Sequence, residues 1–160
     1  MVEPFDKSIY AAAQRLRQLG GVVTLWSFVE QPLTVNLSGV KSVKDVIDSL
    51  GLLPNVENLD LTGTDVGDDD LAIVAQQPTL MRLYLASTRI TDAAIAHIAD
   101  LPKLFVLDIR DTLVSGVGLR RLAEGSCPIG WLGIQGARAS GAHIMQFEKN
   151  TGAWITNFDD

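Results

Sequence analysis

Apolar and polar residues alternate in short bursts that return at a fixed step. Leu59-Asp60-Leu61, Leu83-Tyr84-Leu85 and Leu107-Asp108-Ile109 stand 24 residues apart, and Val35-Asn36-Leu37 precedes them on the same step. Leu132-Gly133-Ile134 follows one residue late. Alternation at period two predicts a short strand with one buried face. In the segment Met81–Leu104 the strand is followed by Ile95 and Ile98, flanked by Ala94 and Ala99, an apolar stripe suited to a short helix. Pro102 closes that helix before the next strand.

The same residue types recur in the same columns. The helical positions are Ile47, Leu71, Ile95, Leu119, Ile144 and then Leu50, Val74, Ile98, Leu122, Phe147. A further inward column is Val66, Ile90, Val114, Ala139, and Pro54, Pro78 and Pro102 share a register. The extra residue before Leu132 belongs to the turn-rich segment Glu124–Pro128. A repeat of one strand plus one helix cannot bury its apolar face alone, so successive units must stack. The expected fold is an α/β right-handed solenoid, with parallel strands on the concave face and helices on the convex face.

The ends depart from the period. Residues 1–32 are expected to form an N-terminal cap. It contains an amphipathic helix over Phe5–Leu19, carrying Ile9, Ala12, Ala13, Leu16 and Leu19 and ending at Gly20-Gly21. Val22–Phe28 and Thr34–Leu37 are candidates for a strand pair. About five repeats fill residues 33–153, and 154–160 form a C-terminal cap, with an irregular final strand within Ala153–Phe158. With no linker in view, the whole of residues 1–160 reads as one domain.

Polar columns fit the same frame. Thr64, Thr88 and Thr112 follow the strands, where hydroxyls can satisfy turn backbone. Thr91, Ser115 and Ser140 precede helices as candidate N-caps. Asp68, Asp69, Asp70 and Asp92 fall in first turns, where the helix dipole favours carboxylates.

The segments LDLTGTDVGDDDLAIVAQQPTL, LYLASTRITDAAIAHIADLPKL and LDIRDTLVSGVGLRRLA resemble bacterial leucine-rich repeats of the T-x-[VI]-T-D-x-x-[LI] type, such as occur in many copies in planctomycete-type bacteria. The lead-in AAAQRLRQLGGVVT resembles the helix and Gly-Gly turn that often precede such repeats. The resemblance covers about residues 33–153 and implies a binding scaffold without chemistry of its own. The chain departs from the pattern at Val66-Gly67-Asp68, where Gly replaces Thr, and at Ala139-Ser140-Gly141.

Composition narrows the partners. A net charge of −6 argues mildly against nucleic acid, whose backbone demands surplus Lys and Arg. The most apolar run, Gly20–Val29, is too short to span a bilayer, so no membrane partner is expected. The N-terminus lacks a secretory pattern, and the single cysteine excludes an internal disulfide; both readings favour the cytoplasm.

Candidate chemistry is sparse. His97 and His143 fall at different repeat positions two units apart and do not converge. Cys127 has no neighbouring base and reads as a small apolar filler. Asp65–Asp70 imitates the start of a calcium loop, but Gln76 occupies the position of the bidentate Glu. Gly116–Arg121 lacks the third glycine of a phosphate loop. No enzyme activity, metal or cofactor is expected.

What remains is the outward face of the strands: Asp60, Arg82, Tyr84, Asp108, Arg110, Trp131 and Gln135. Arg, Tyr and Trp are enriched at binding hot spots. Arg82 is expected diagonal to Asp60 and Asp108, and Arg110 beside Asp108. The expected function is a non-enzymatic module that binds a protein partner, not yet specified, on this face. The alternative is a structural or assembly role, through the N-terminal cap with Trp26 and Phe28 or as a homodimer.

Overall fold

The structure is a computed structural model that describes residues 7–24, 33–43 and 47–156. Among the described residues seven short strands form one sheet in chain order: β1 Val22–Thr24, β2 Leu33–Asn36, β3 Val56–Asp60, β4 Arg82–Tyr84, β5 Val106–Asp108, β6 Trp131–Gly133 and β7 Trp154–Thr156. Only β1 and β2 pair antiparallel; every later pair is parallel. The helices are α1 Lys7–Gln18, α2 Ile47–Leu50, α3 Leu71–Val74, α4 Asp92–Ile98, α5 Gly116–Glu124 and α6 Gly141–Thr151. Each helix packs on its sequence neighbour.

The strand register reproduces the sequence period. Leu59 pairs with Leu83, Leu83 with Leu107, Leu107 with Leu132 and Leu132 with Ile155. All five are buried, together with Leu61, Leu85, Ile109 and Ile134. Of the helical columns, only Ile144 is less than fully buried. The core is therefore one continuous apolar layer between the strands and the helices. Burial against neighbours, rather than within a unit, is what lets helices of only four residues persist in α2 and α3.

Parallel pairing continues past the strands. The N–H groups of Leu37, Leu61, Leu85 and Ile109 donate to Asp60, Tyr84, Asp108 and Gly133 at 2.8–2.9 Å. Those of Gly39, Gly63, Ser87 and Asp111 donate to Thr62, Ala86, Arg110 and Gln135 at 2.8 Å. This second row needs a left-handed residue in every unit: Gly39, Gly63, Ser87, Asp111 and Gly136 have φ of 69°, 67°, 56°, 54° and 73°. Glycine adopts that conformation freely, whereas Ser87 and Asp111 pay a steric cost.

The threonine column does what its position suggested. Thr64, Thr88 and Thr112 are buried and donate their hydroxyls to the carbonyls of Leu61, Leu85 and Ile109, each at 2.7 Å. The acidic column does something else. Asp68 accepts from both the N–H and the hydroxyl of Thr91, each at 2.7 Å, and Asp92 accepts from the N–H and hydroxyl of Ser115 and the N–H of Gly118. These carboxylates clamp each unit to the next, which explains why each precedes the Thr or Ser by 23 residues. Thr91 and Ser115 still cap their own helices, accepting from Ala93 and Val117. Ser140 does not cap; its hydroxyl is bonded to His143 Nδ1 at 2.8 Å.

The C-terminal strand is more regular than expected, because Trp154-Ile155-Thr156 joins β6 in the same parallel register as the repeats. At the other end, α1 turns out through Gly20, whose φ is 92°, and the N–H of Gly21 bonds to Leu16. Trp26 and Phe28 lie outside the described residues. No described helix is long and apolar enough to cross a membrane.

Candidate interaction face

The sheet face opposite the helices carries the side chains left over by the buried alternation. On it, Thr34, Asn58, Arg82, Val106, Trp131 and Trp154 are direct neighbours across successive strands. The next row is Asn36, Asp60, Tyr84, Asp108, Gly133 and Thr156.

In this second row most polar groups are used by the fold. Asn36, Asp60 and Asp108 each accept the N–H two residues on, from Ser38, Thr62 and Arg110, at 2.9, 2.9 and 3.1 Å. The short Asn or Asp side chain thereby turns the chain out of its strand. Asp108 is also gripped by Arg110, whose Nε and Nη2 reach the carboxylate at 2.9 and 2.7 Å. The carboxylate side chain is 3% exposed, and its bonds to the guanidinium raise the Arg110 pKa further above its ordinary value. Asp108 and Arg110 are thus a self-satisfied pair, as their adjacency suggested.

Arg82 is different. It lies diagonal to Asp60 and Asp108, as expected, and its Nη1 donates to Asn58 Oδ1 at 3.0 Å. Asn58 lies directly opposite in the register, while the carboxylates are a diagonal away. Asn58 in turn donates to Thr34 at 3.1 Å, so a three-strand polar ladder holds the guanidinium through a neutral partner. Among the described residues Arg82 forms no ion pair.

The structure therefore divides the seven candidates. Asp60, Arg82 and Tyr84 share an open depression of about 380 Å³ with Thr34, Asn36 and Asn58. Trp131 is half-buried and lies over Gly133, where a Cβ would come 2.8 Å from the indole. Gln135 is half-buried beyond β6, and its carbonyl accepts from Asp111. Trp154, absent from the sequence-derived set, is 76% exposed beside Trp131. Its signal was the Trp-apolar pattern shared by Trp131-Leu132 and Trp154-Ile155, 23 residues apart.

The remaining titratable groups do not converge. His97 and His143 are exposed on α4 and α6. Cys127 packs against the core, and burial pushes its thiol up to about 11. Asp100 is held below the ordinary carboxylate range by the Ser126 N–H and then by Arg121. Among the described residues no three His, Cys, Asp or Glu side chains are grouped to hold a metal ion.

No family model and no curated protein matches the sequence. Among solved structures the chain is similar to one titled as the BIR3–SERK2 complex from Arabidopsis thaliana, at 20% identity and a TM-score of 0.46. That match covers 84% of this chain and 73% of the other. A likeness of that degree leaves the function to be argued from the face itself.

Proposed function

We propose that the chain is a right-handed leucine-rich repeat solenoid of the bacterial type, and that it is a non-enzymatic module binding a protein partner on the concave strand face. The observation that carries the reading is the gathering of Arg82, Tyr84, Trp131 and Trp154 on one sheet face whose opposite face is entirely committed to the core. Those residue types bury large area and form directional contacts, as binding hot spots require. Replacing Arg82, Tyr84 and Trp131 together with Ala is expected to preserve the far-UV circular dichroism and abolish partner capture from native lysate. Capture at full strength by the folded triple variant would sink the assignment of the face.

An assembly role is a second reading, favoured by the exposure of Tyr10 and Val22, 55% and 62%, at the N-terminal end. Its homodimer form is decided by light scattering, where a monomer at high concentration disposes of it.

A further inference from the structure

We infer that the ligand of this face is an extended peptide segment carrying a carboxylate four residues away from a large apolar side chain. The inference rests on the assignment of the binding face above and adds the chemistry of what sits there.

The first observation is the state of the two face arginines. Arg110 has its charge matched by Asp108 at 2.7 Å. Arg82 is exposed and held by the amide oxygen of Asn58, which fixes the position of the guanidinium without neutralising it. A guanidinium has five N–H donors in a planar fork suited to a carboxylate. A pre-positioned Arg loses little freedom on binding, so the ladder Thr34–Asn58–Arg82 makes the cation a ready receptor for an acidic side chain.

The second observation is the direction in which the row continues. From Arg82 the neighbours are Val106, Trp131 and Trp154, with no charge among them. Val106 and Trp131 are half-buried, and Trp154 is 76% exposed. The row is thus polar on the β2–β4 side and apolar on the β5–β7 side, with Arg82 at the boundary.

The spacing follows from sheet geometry. Three strand steps of about 4.8 Å separate Arg82 from Trp154, or about 14 Å. An extended chain advances about 3.3 Å per residue, so four residues cover that distance. Residues i and i+4 of an extended segment also point to the same side, so both can face the sheet together. Residue i+2 then lies between Val106 and Trp131 and should be small or apolar. The row is symmetric in neither charge nor exposure, so it selects the order of carboxylate and apolar group along the row, while the polypeptide direction is read from the experiment.

The test is selection of a displayed library of random nonapeptides on the full chain, on Arg82→Gln and on Trp154→Ala. Trp154→Phe is added to separate loss of the aromatic from loss of the edge strand, and urea midpoints verify folding. The native chain is expected to enrich Asp or Glu paired with Leu, Phe or Trp at a separation of four. On Arg82→Gln the acidic enrichment should fall at least tenfold while the apolar preference stays. On Trp154→Ala the apolar preference should fall, with Phe restoring most of it. Acidic enrichment that is absent, or unchanged on Arg82→Gln, overturns the inference and leaves the face assignment standing. Selected peptides that bind the Arg82, Tyr84, Trp131 triple alanine variant undiminished overturn the face assignment instead. A library yielding no binder overturns the inference.

Discussion

The junction between α4 and α5 and the junction between α5 and α6 are built on the same columns, yet they are held differently. At the first, Asp92 accepts three hydrogen bonds from the following unit, two from Ser115 and one from Gly118. At the second, the Asp column is occupied by Gly116 and the Ser column by Ser140. Gly116 is buried, and a Cβ there would run into the imidazole of His143. Ser140, without a carboxylate to meet, bonds to His143 instead. A small open cavity bounded by Gly116, Leu119, His143 and Phe147 lies at this junction. The apolar period alone is enough to stack a unit, but the polar clamp sets how firmly two units are joined. The apolar pairing continues through both junctions, with one extra residue before Leu132; the clamp does not.

Removing the clamp where it is strongest should have the largest effect. Asp92→Ala strands the N–H groups of Ser115 and Gly118, and losing charge-assisted bonds to partly buried donors costs about 2–4 kcal/mol. Asp68→Ala, which breaks two bonds to Thr91, should cost less, about 1–3 kcal/mol. Urea denaturation followed by circular dichroism gives both. Equal and small losses would show that packing alone joins the central units, and the contrast between the junctions would vanish.

The converse experiment builds a clamp where none exists. Gly116→Asp alone should destabilise, because the new side chain meets the imidazole. Combined with His143→Ala, the carboxylate can reach Ser140 as Asp92 reaches Ser115. The double variant should then be about 1–2 kcal/mol more stable than the sum of the single effects predicts, the range seen for groups in direct contact. Additive behaviour would mean that the last junction differs in backbone geometry and not only in these side chains.

These contrasts show which parts of the molecule were legible in the sequence. Leu59, Leu83 and Leu107 could be placed because burial repeats at a fixed interval of 24 residues, and Leu132 because the turn-rich segment before it absorbs one extra residue. Thr64, Thr88 and Thr112 were equally readable, since a hydroxyl three residues beyond a carbonyl has a local partner. Asp92 does fall in the first turn of α4, but Asp68, Asp69 and Asp70 all precede α3, which begins at Leu71, and the helix dipole named for Asp68 and Asp92 was not their partner. Their bonds run 23 residues ahead, and a carboxylate at a helix start looks the same whether it serves its own helix or the next unit. Arg82 was placed correctly on the diagonals to Asp60 and Asp108, but the side chain that holds it was not legible. The register sets the neutral Asn58 directly opposite, and its amide oxygen takes the bond rather than a diagonal carboxylate. Trp154 was missed because the strand that presents it was taken for irregular closing structure. Sequence period gives contacts inside the core; for the outward side chains the partner depends on which of several neighbours lies within 3 Å.

A finer comparison uses the serines at the two junctions. Ser115 gives its hydroxyl to Asp92 at 2.6 Å and accepts from Val117, whereas the Ser140 hydroxyl is bonded to an exposed histidine. Ser115→Ala should cost about 1 kcal/mol, the usual penalty for a lost N-cap, and Ser140→Ala less than about 0.5 kcal/mol. Similar losses would indicate that Ser140 supports α6 despite the missing carboxylate.

The smallest expected change lies in the left-handed column and runs in the stabilising direction. Gly39, Gly63 and Gly136 hold φ near 70° without strain, while Ser87 holds 56° with a Cβ in place. For an L-residue that conformation costs roughly 1–2 kcal/mol, and glycine gives back about 0.5–1 kcal/mol in chain entropy. Ser87→Gly should therefore raise stability by about 0.5 kcal/mol, seen as a higher urea midpoint at constant slope. The carbonyl of Arg110 should keep its bond from residue 87, since only the side chain changes. A loss of stability would show that the Ser87 side chain contributes more than its backbone strain costs. The central units would then be joined by more than the carboxylate clamps, and the difference between the two junctions would have to be traced to their outward turns as well.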